Sequence, residues 1–221
     1  MKLPSLCFIA LSFILLMGCA TTDTTQANST NDTNKEESSS SSNKSDESSK
    51  SSVLTEEELM GEVYTVASDE APTGYILEGI QPAKITGKEY SDFVVIFKHE
   101  KEPLIQFPVV KAFSYQEGEW LSFSILNEED NAGSSLAIGG IHPFISPDQE
   151  EVILNESEGS GGFMSLYIIG SKDGNTIELL HKTEPLPEGA FSYENGELKI
   201  LDLDSNSETT MKWDNESKTF K

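Results

Sequence analysis

Short apolar blocks separated by polar segments recur along the chain from position 92 onward. Six blocks are rich in β-branched and aromatic residues and are bounded by Gly, Asn, Asp or Pro: 92–98, 119–126, 150–155, 163–170, 176–182 and 197–203. Such blocks are typical of β-strands. Asn195-Gly196 is typical of a two-residue hairpin turn, and Asp173-Gly174 and Asp214-Asn215 predict two further hairpins. The pattern therefore predicts an all-β, antiparallel fold.

One helix is predicted ahead of the strands. Thr55 is a suitable N-cap, and residues 56–58 place three glutamates in the first turn, where the helix dipole favours negative charge. Gly61 is expected to end this helix, because no long helical pattern follows it.

The N-terminal 52 residues have a different pattern. Lys2 precedes an uncharged apolar stretch, 6–17, which is too short to cross a bilayer as a helix and is typical of a secretory signal peptide. Residues 20–52 are almost wholly polar, with an unbroken serine run at 38–42. Because such a segment cannot bury enough apolar surface to offset its conformational entropy, it is predicted to be a disordered spacer.

The segment Leu16-Met17-Gly18-Cys19, at the end of the apolar stretch, resembles the lipobox of bacterial lipoproteins. The resemblance implies cleavage between Gly18 and Cys19 and attachment of a diacylglycerol to the Cys19 sulfur. It predicts a signal peptide at 1–18, a lipidated cysteine and polar tether at 19–52, and a single acidic β-rich domain at 53–221. The expected location is the cell membrane, with the domain facing away from the cytoplasm. Cys7 would leave with the signal peptide, so no internal disulfide is expected.

An internal repeat is visible in the predicted domain. Residues 99–120 and 181–198 share His, Glu-Pro-Leu, Ala-Phe-Ser-Tyr and Gly-Glu in the same order, and 143–154 is a fainter copy. The segment 143–180, with its Ser-Pro-Asp turn, resembles a blade of the TolB or WD40-like propellers. The resemblance implies a propeller-like meander. A small β-sandwich is the alternative, because the domain has room for only about four such units and most propellers have more blades.

Charge narrows the choice of partners. The chain carries a formal net charge of −23 and contains no arginine. Nucleic-acid binding is not expected, since it needs a basic surface. Anionic lipid head groups should repel the domain, so we expect contact with the membrane to depend on Cys19. Cations and basic partners are permitted.

Candidate chemistry is sparse. His99, His142 and His181 are the only histidines, and two of them occupy matching repeat positions, where they are expected to lie far apart. Four oxygen-bearing residues at every second position resemble the start of a calcium loop: Asp202, Asp204, Asn206 and Glu208. Ser207 stands where that motif has glycine and Trp213 where it has a bidentate glutamate, so a plain acidic hairpin turn is the alternative.

The sequence therefore predicts a surface lipoprotein whose β-domain has a non-enzymatic binding role, with an envelope protein or a cell-wall ligand as its partner. No catalytic residue and no cofactor other than calcium is indicated. Two alternatives remain open, a hydrolase that works from carboxylates and a calcium-stabilised structural module. A pair of buried carboxylates facing each other across a cleft would favour the hydrolase.

Overall fold

The helix of this chain is longer than its sequence predicts. The computed structural model describes residues 54–101, 107–130, 134–158 and 163–221. Helix α1 spans Glu56–Asp69, and Thr55 is its N-cap. The Thr55 hydroxyl accepts from the Glu58 backbone N–H, and the Glu58 carboxylate accepts from the Thr55 backbone N–H. The predicted cap is thus confirmed as a capping box. The predicted end at Gly61 is wrong.

Packing explains why α1 continues past Gly61. Leu59, Val63 and Ala67 recur at every fourth position and are buried against the sheet beneath the helix. At the C-terminal end, the Lys111 ammonium donates to the Glu70 carbonyl at 2.9 Å and to its carboxylate at 3.1 Å. A cation at this position is favourable because the last carbonyls of a helix carry partial negative charge.

The strands form three antiparallel sheets, each following the chain in sequential order. Sheet 1 consists of β1 (Tyr75–Ala83), β2 (Asp92–His99), β3 (Val109–Gln116) and β4 (Glu119–Leu126). Sheet 2 consists of β5 (Ser134–His142), β6 (Glu151–Glu158), β7 (Phe163–Gly170), β8 (Glu178–Lys182) and the short β9 (Leu186–Pro187), which pairs with β7. Sheet 3 consists of β10 (Gly189–Glu194), β11 (Glu197–Asp202), β12 (Ser207–Asp214) and β13 (Thr219–Phe220). A short 3₁₀ turn, Glu128–Asp130, follows β4.

The predicted all-β, antiparallel class is therefore confirmed. Each of the six predicted strand blocks overlaps a strand, and the bounds of β4 and β7 coincide with the prediction. The choice between a propeller-like meander and a small β-sandwich stays a prediction. The two copies of Ala-Phe-Ser-Tyr lie on β3 and β10, and each is followed by a two-residue hairpin turn.

These two turns have the backbone geometry that their sequences favour. Asn195 and Gly196 have φ of 54° and 81°, and Glu117 and Gly118 have φ of 54° and 89°. Positive φ at both central residues defines the type I′ turn of tight hairpins. The hairpins predicted at Asp173-Gly174 and Asp214-Asn215 are also formed, between β7 and β8 and between β12 and β13, but their connections are longer, 171–177 and 215–218.

Alternate faces of the strands hold the layers together. On β2, the side chains of Phe93, Val95 and Phe97 pack under α1, while those of Val94 and Ile96 pack against sheet 2. Sheet 2 is buried on both faces, because its opposite side chains form a second cluster with sheet 3. The layers thus follow the order α1, sheet 1, sheet 2, sheet 3.

The outer face of sheet 3 is polar. Lys199 bonds Glu194 at 2.5 Å, and Lys212 lies 3.5 Å from Glu197, whereas Leu198 on the inner face is fully buried. A polar outer face is what a terminal layer of a stack needs in order to remain soluble.

Candidate functional site

The predicted anchor lies outside the described residues. Gly18, Cys19 and the tether 19–52 all precede Leu54, where the description begins. Lipidation at Cys19 therefore stays a prediction. Within the part of the chain that is described, no helix is long and apolar enough to cross a bilayer.

The predicted calcium residues lie around the turn between β11 and β12. The Asp202 carboxylate accepts from the backbone N–H groups of Asp204 and Ser205 at 3.0 and 3.1 Å, and from the Ser205 hydroxyl at 2.7 Å. These bonds, chiefly from Ser205, lower the pKa of Asp202. Asn206 has a φ of 52°, and Glu208 lies on β12.

The same turn occurs a second time between β12 and β13. There Asp214 accepts from the N–H groups of Glu216 and Ser217, and Lys218 again has a φ of 52°. The spacing of oxygen side chains in 202–208 thus matches a hairpin turn that the chain uses twice. The described residues hold no group of three His, Cys, Asp or Glu side chains suited to a metal, and calcium stays a prediction.

The three histidines each pack against an aromatic ring. His99, at the end of β2, lies edge-on to Tyr75, with ring centroids 5.2 Å apart. His142 stacks on Tyr193 at 4.1 Å, and His181 contacts Phe220 at 5.8 Å. Burial lowers the pKa of both His142 and His181, which favours the neutral imidazole.

Two buried carboxylates, which no sequence motif marks, hold the loops that precede β2 and β6. Asp92, the first residue of β2, accepts from the backbone N–H and hydroxyl of Thr86 at 2.6 and 2.9 Å. Glu151, the first residue of β6, accepts from the N–H groups of Phe144 and Ile145 at 2.6 and 3.3 Å. Burial raises the pKa of both, that of Glu151 to about 7. Their signal in the sequence was an acid directly before an apolar run.

A third buried carboxylate, Glu156 on β6, accepts a 2.5 Å bond from the Tyr167 hydroxyl. The three acids occupy different places. Asp92 lies on the face of β2 that packs against sheet 2, Glu151 lies on the face of β6 that packs against sheet 3, and Glu156 lies near the opposite end of β6. Each binds backbone N–H groups or a tyrosine of its own surroundings, which is a structural role.

The most distinctive surface lies where α1 runs beside β4. Here a shallow groove of about 480 Å³ is lined by Glu58, Gly61, Glu62, Thr65, Val66 and Trp120. The Trp120 indole N–H donates to the Glu62 carboxylate at 3.2 Å and closes one side of this groove. A Cβ at Gly61 would meet no atom within 4 Å, so the missing side chain leaves the groove open. We call this the α1–β4 groove.

Half of the residues of strand β4 are exposed. Glu119, Leu121, Ser122 and Ser124 are exposed, and Leu121 retains 40% of its accessible surface. Residues 120–126 carry no charge. Among the described residues, β4 also contacts β8 of sheet 2 but is hydrogen-bonded only to β3, so no strand pairs with its other edge, which we call the open edge. An open, uncharged edge with an exposed leucine is unusual in soluble proteins, which normally protect such edges.

Comparisons with known proteins assign the chain to no protein family. No family model, curated protein or solved structure matches it. The residues and geometry of the chain alone therefore bear on its function.

Proposed function

We propose that this protein is a lipid-anchored component of the bacterial cell envelope whose β-domain binds a partner and catalyses no reaction. The observation that carries the binding role is the open edge of β4 beside the α1–β4 groove. Exposed apolar side chains next to unpaired strand edges are typical of protein-interaction surfaces. The buried acids support this role, because each is engaged in holding the fold.

The anchor follows from the segment Leu16-Met17-Gly18-Cys19. We infer that Cys19 is acylated and that the polar segment behind it holds the domain away from the membrane. A flexible chain of that length would average roughly 30 Å from end to end. An acidic domain gains from such a distance, because anionic head groups would repel it.

A single substitution tests the anchor. Cys19→Ala in the full chain should abolish incorporation of labelled fatty acid and leave the protein unprocessed or in the soluble fraction. Cys7→Ala is the matched control, since it removes the other cysteine from within the proposed signal peptide and should leave acylation unchanged. A Cys19→Ala protein that is still cleaved and still sediments with membranes would contradict the anchor.

A further inference from the structure

We propose that the open edge of β4 receives an extended, basic segment of a partner protein, which adds a strand to sheet 1 and places side chains in the α1–β4 groove. This inference rests on the binding role proposed above and specifies the chemistry of its partner.

The backbone of β4 is ready to pair. In the β3–β4 hairpin, Gln116 and Glu119 flank the two-residue turn and face each other, so they form the hydrogen-bonded pair of the turn. Bonded and non-bonded pairs alternate along an antiparallel ladder. The N–H and C=O groups of Trp120, Ser122 and Ser124 therefore point away from β3, toward the open edge.

Three of the other edge strands, β1, β5 and β8, are interrupted, whereas β4 is regular over 119–124; the six-residue β10 of sheet 3 is also uninterrupted. An extra residue breaks the pairing at Glu78 in β1, Gly139 in β5 and Leu180 in β8. The extra residue in β4 is Ile125, near its end, so 119–124 pair with β3 without a break. Bulges are a usual protection against edge pairing, and this part of β4 lacks one.

Side chains of an added strand would alternate between two environments. Trp120 packs in the cluster beneath α1, whereas Phe123 and Ile125 pack in the cluster between sheets 1 and 2. Every second side chain of the new strand would thus enter the α1–β4 groove, next to Trp120 and the vacant space at Gly61. The alternate side chains would cover Leu121.

The charge of the α1–β4 groove indicates which kind of partner strand could pair with β4. Glu58 and Glu62 line the groove, and neither α1 nor β4 contains a lysine. A lysine or arginine entering the groove would meet two carboxylates and an indole face, both of which favour a cation. A second copy of this chain, at −23, would be repelled. The surface therefore fits an extended partner segment in which basic and apolar residues alternate.

A binding titration of the full chain in detergent micelles tests this proposal, with a labelled peptide of alternating lysine and valine as the probe. Ser122→Pro removes one outward N–H without removing a bond to β3, so affinity should fall roughly tenfold. Ser122→Thr, which keeps the N–H, should bind as the parent does. Equal affinity for the Ser122→Pro chain, shown by circular dichroism to be folded, would overturn the proposal.

Further comparisons keep the test decisive if Ser122→Pro does not fold. Glu62→Gln retains an acceptor for the Trp120 N–H but removes the charge, and should weaken binding about threefold at low salt. A probe methylated on its backbone nitrogens should lose binding to the parent chain. Unchanged affinity in both cases would refute strand addition. Absence of peptide binding together with Cys19-dependent acylation would reject this partner class and leave the anchored lipoprotein intact.

Discussion

Glu151 holds the loop before β6 through its side chain, and the burial that this requires disfavours the ionised form of its carboxyl group. It is fully buried, its Oε2 accepts from two backbone N–H groups, and its Oε1 has no partner among the described residues. A Cβ at Gly170 would lie 2.8 Å from the Glu151 Cγ, so that glycine makes room for the side chain. The hydrogen bonds favour the charged form, but burial outweighs them.

The first prediction concerns the pH dependence of stability. The pKa of Glu151 rises from 4.5 to about 7 on folding. Because the folded pKa is the higher one, the stabilisation from this group is complete below pH 4.5 and is lost as the pH rises through about 7. The loss corresponds to about 3 kcal/mol. Glu151→Gln should remove this loss. Urea unfolding at roughly pH 4 and roughly pH 8, which bracket the titration of the carboxyl group, measures the change in the free energy of unfolding.

The exposed Glu216 provides the control. Glu216→Gln should keep the pH dependence of the parent chain. If the Glu151→Gln protein shows the same decline in unfolding free energy as the parent, Glu151 is not the group that titrates.

At the scale of an element, α1 shows that tertiary packing outweighs local preference. Gly61 lies in the middle of the helix, where glycine costs about 1 kcal/mol relative to alanine. The buried stripe of Leu59, Val63 and Ala67 offsets this cost. The glycine persists at an exposed position that borders the α1–β4 groove, so it keeps the groove open at a small expense in stability.

The second prediction follows from this position. Gly61→Ala should raise the free energy of unfolding by about 1 kcal/mol, because the new methyl group enters open space and the helix gains propensity. Gly118→Ala is a matched contrast, since Gly118 has a φ of 89° and also has open space around it. That variant should lose about 1 kcal/mol, because only its backbone conformation is unfavourable. Chemical denaturation of both variants gives the comparison, and a destabilised Gly61→Ala protein would contradict it.

Local patterns predicted the elements whose causes are local. The Thr55 cap, the bounds of β4 and β7 and the Asn195-Gly196 turn each depend on a few neighbouring residues, and each was confirmed. The end of α1 was missed because it depends on sheet 1, whose strands follow later in the chain. The α1–β4 groove was beyond sequence reasoning for the same reason, since Gly61 and Trp120 are brought together only by the fold.

The turn at Asp202 shows a different limit. A carboxylate followed by alternating oxygen side chains fits both a calcium loop and a turn in which the carboxylate accepts backbone N–H groups. The sequence left both readings open. The bonds to Asp204 and Ser205 show that the turn is formed, and the same turn recurs at Asp214.

At the scale of the whole described unit, the order of the layers gives the three sheets different degrees of burial. Sheet 2 lies between sheets 1 and 3, and residues 152–154 on β6 and 166–169 on β7 have no accessible surface. Sheet 3 buries only one face, and its last strand, β13, has two residues. The burial that stabilises each sheet is therefore greatest in the middle of the stack and least at its C-terminal end.

The third prediction is an order of hydrogen exchange. Amides exchange through local opening, and the free energy of opening follows the amount of burial that the opening disrupts. Amides of β6 and β7 should therefore exchange most slowly and those of β12 and β13 fastest among the strands. The measurement is exchange of the intact chain, followed by quenching, peptic digestion and mass spectrometry of the fragments. Leu198→Ala, on the inner face of sheet 3, should accelerate exchange in sheet 3 more than in sheet 2. Equal protection in sheets 2 and 3, and equal acceleration by Leu198→Ala, would show that the layers unfold as one cooperative unit.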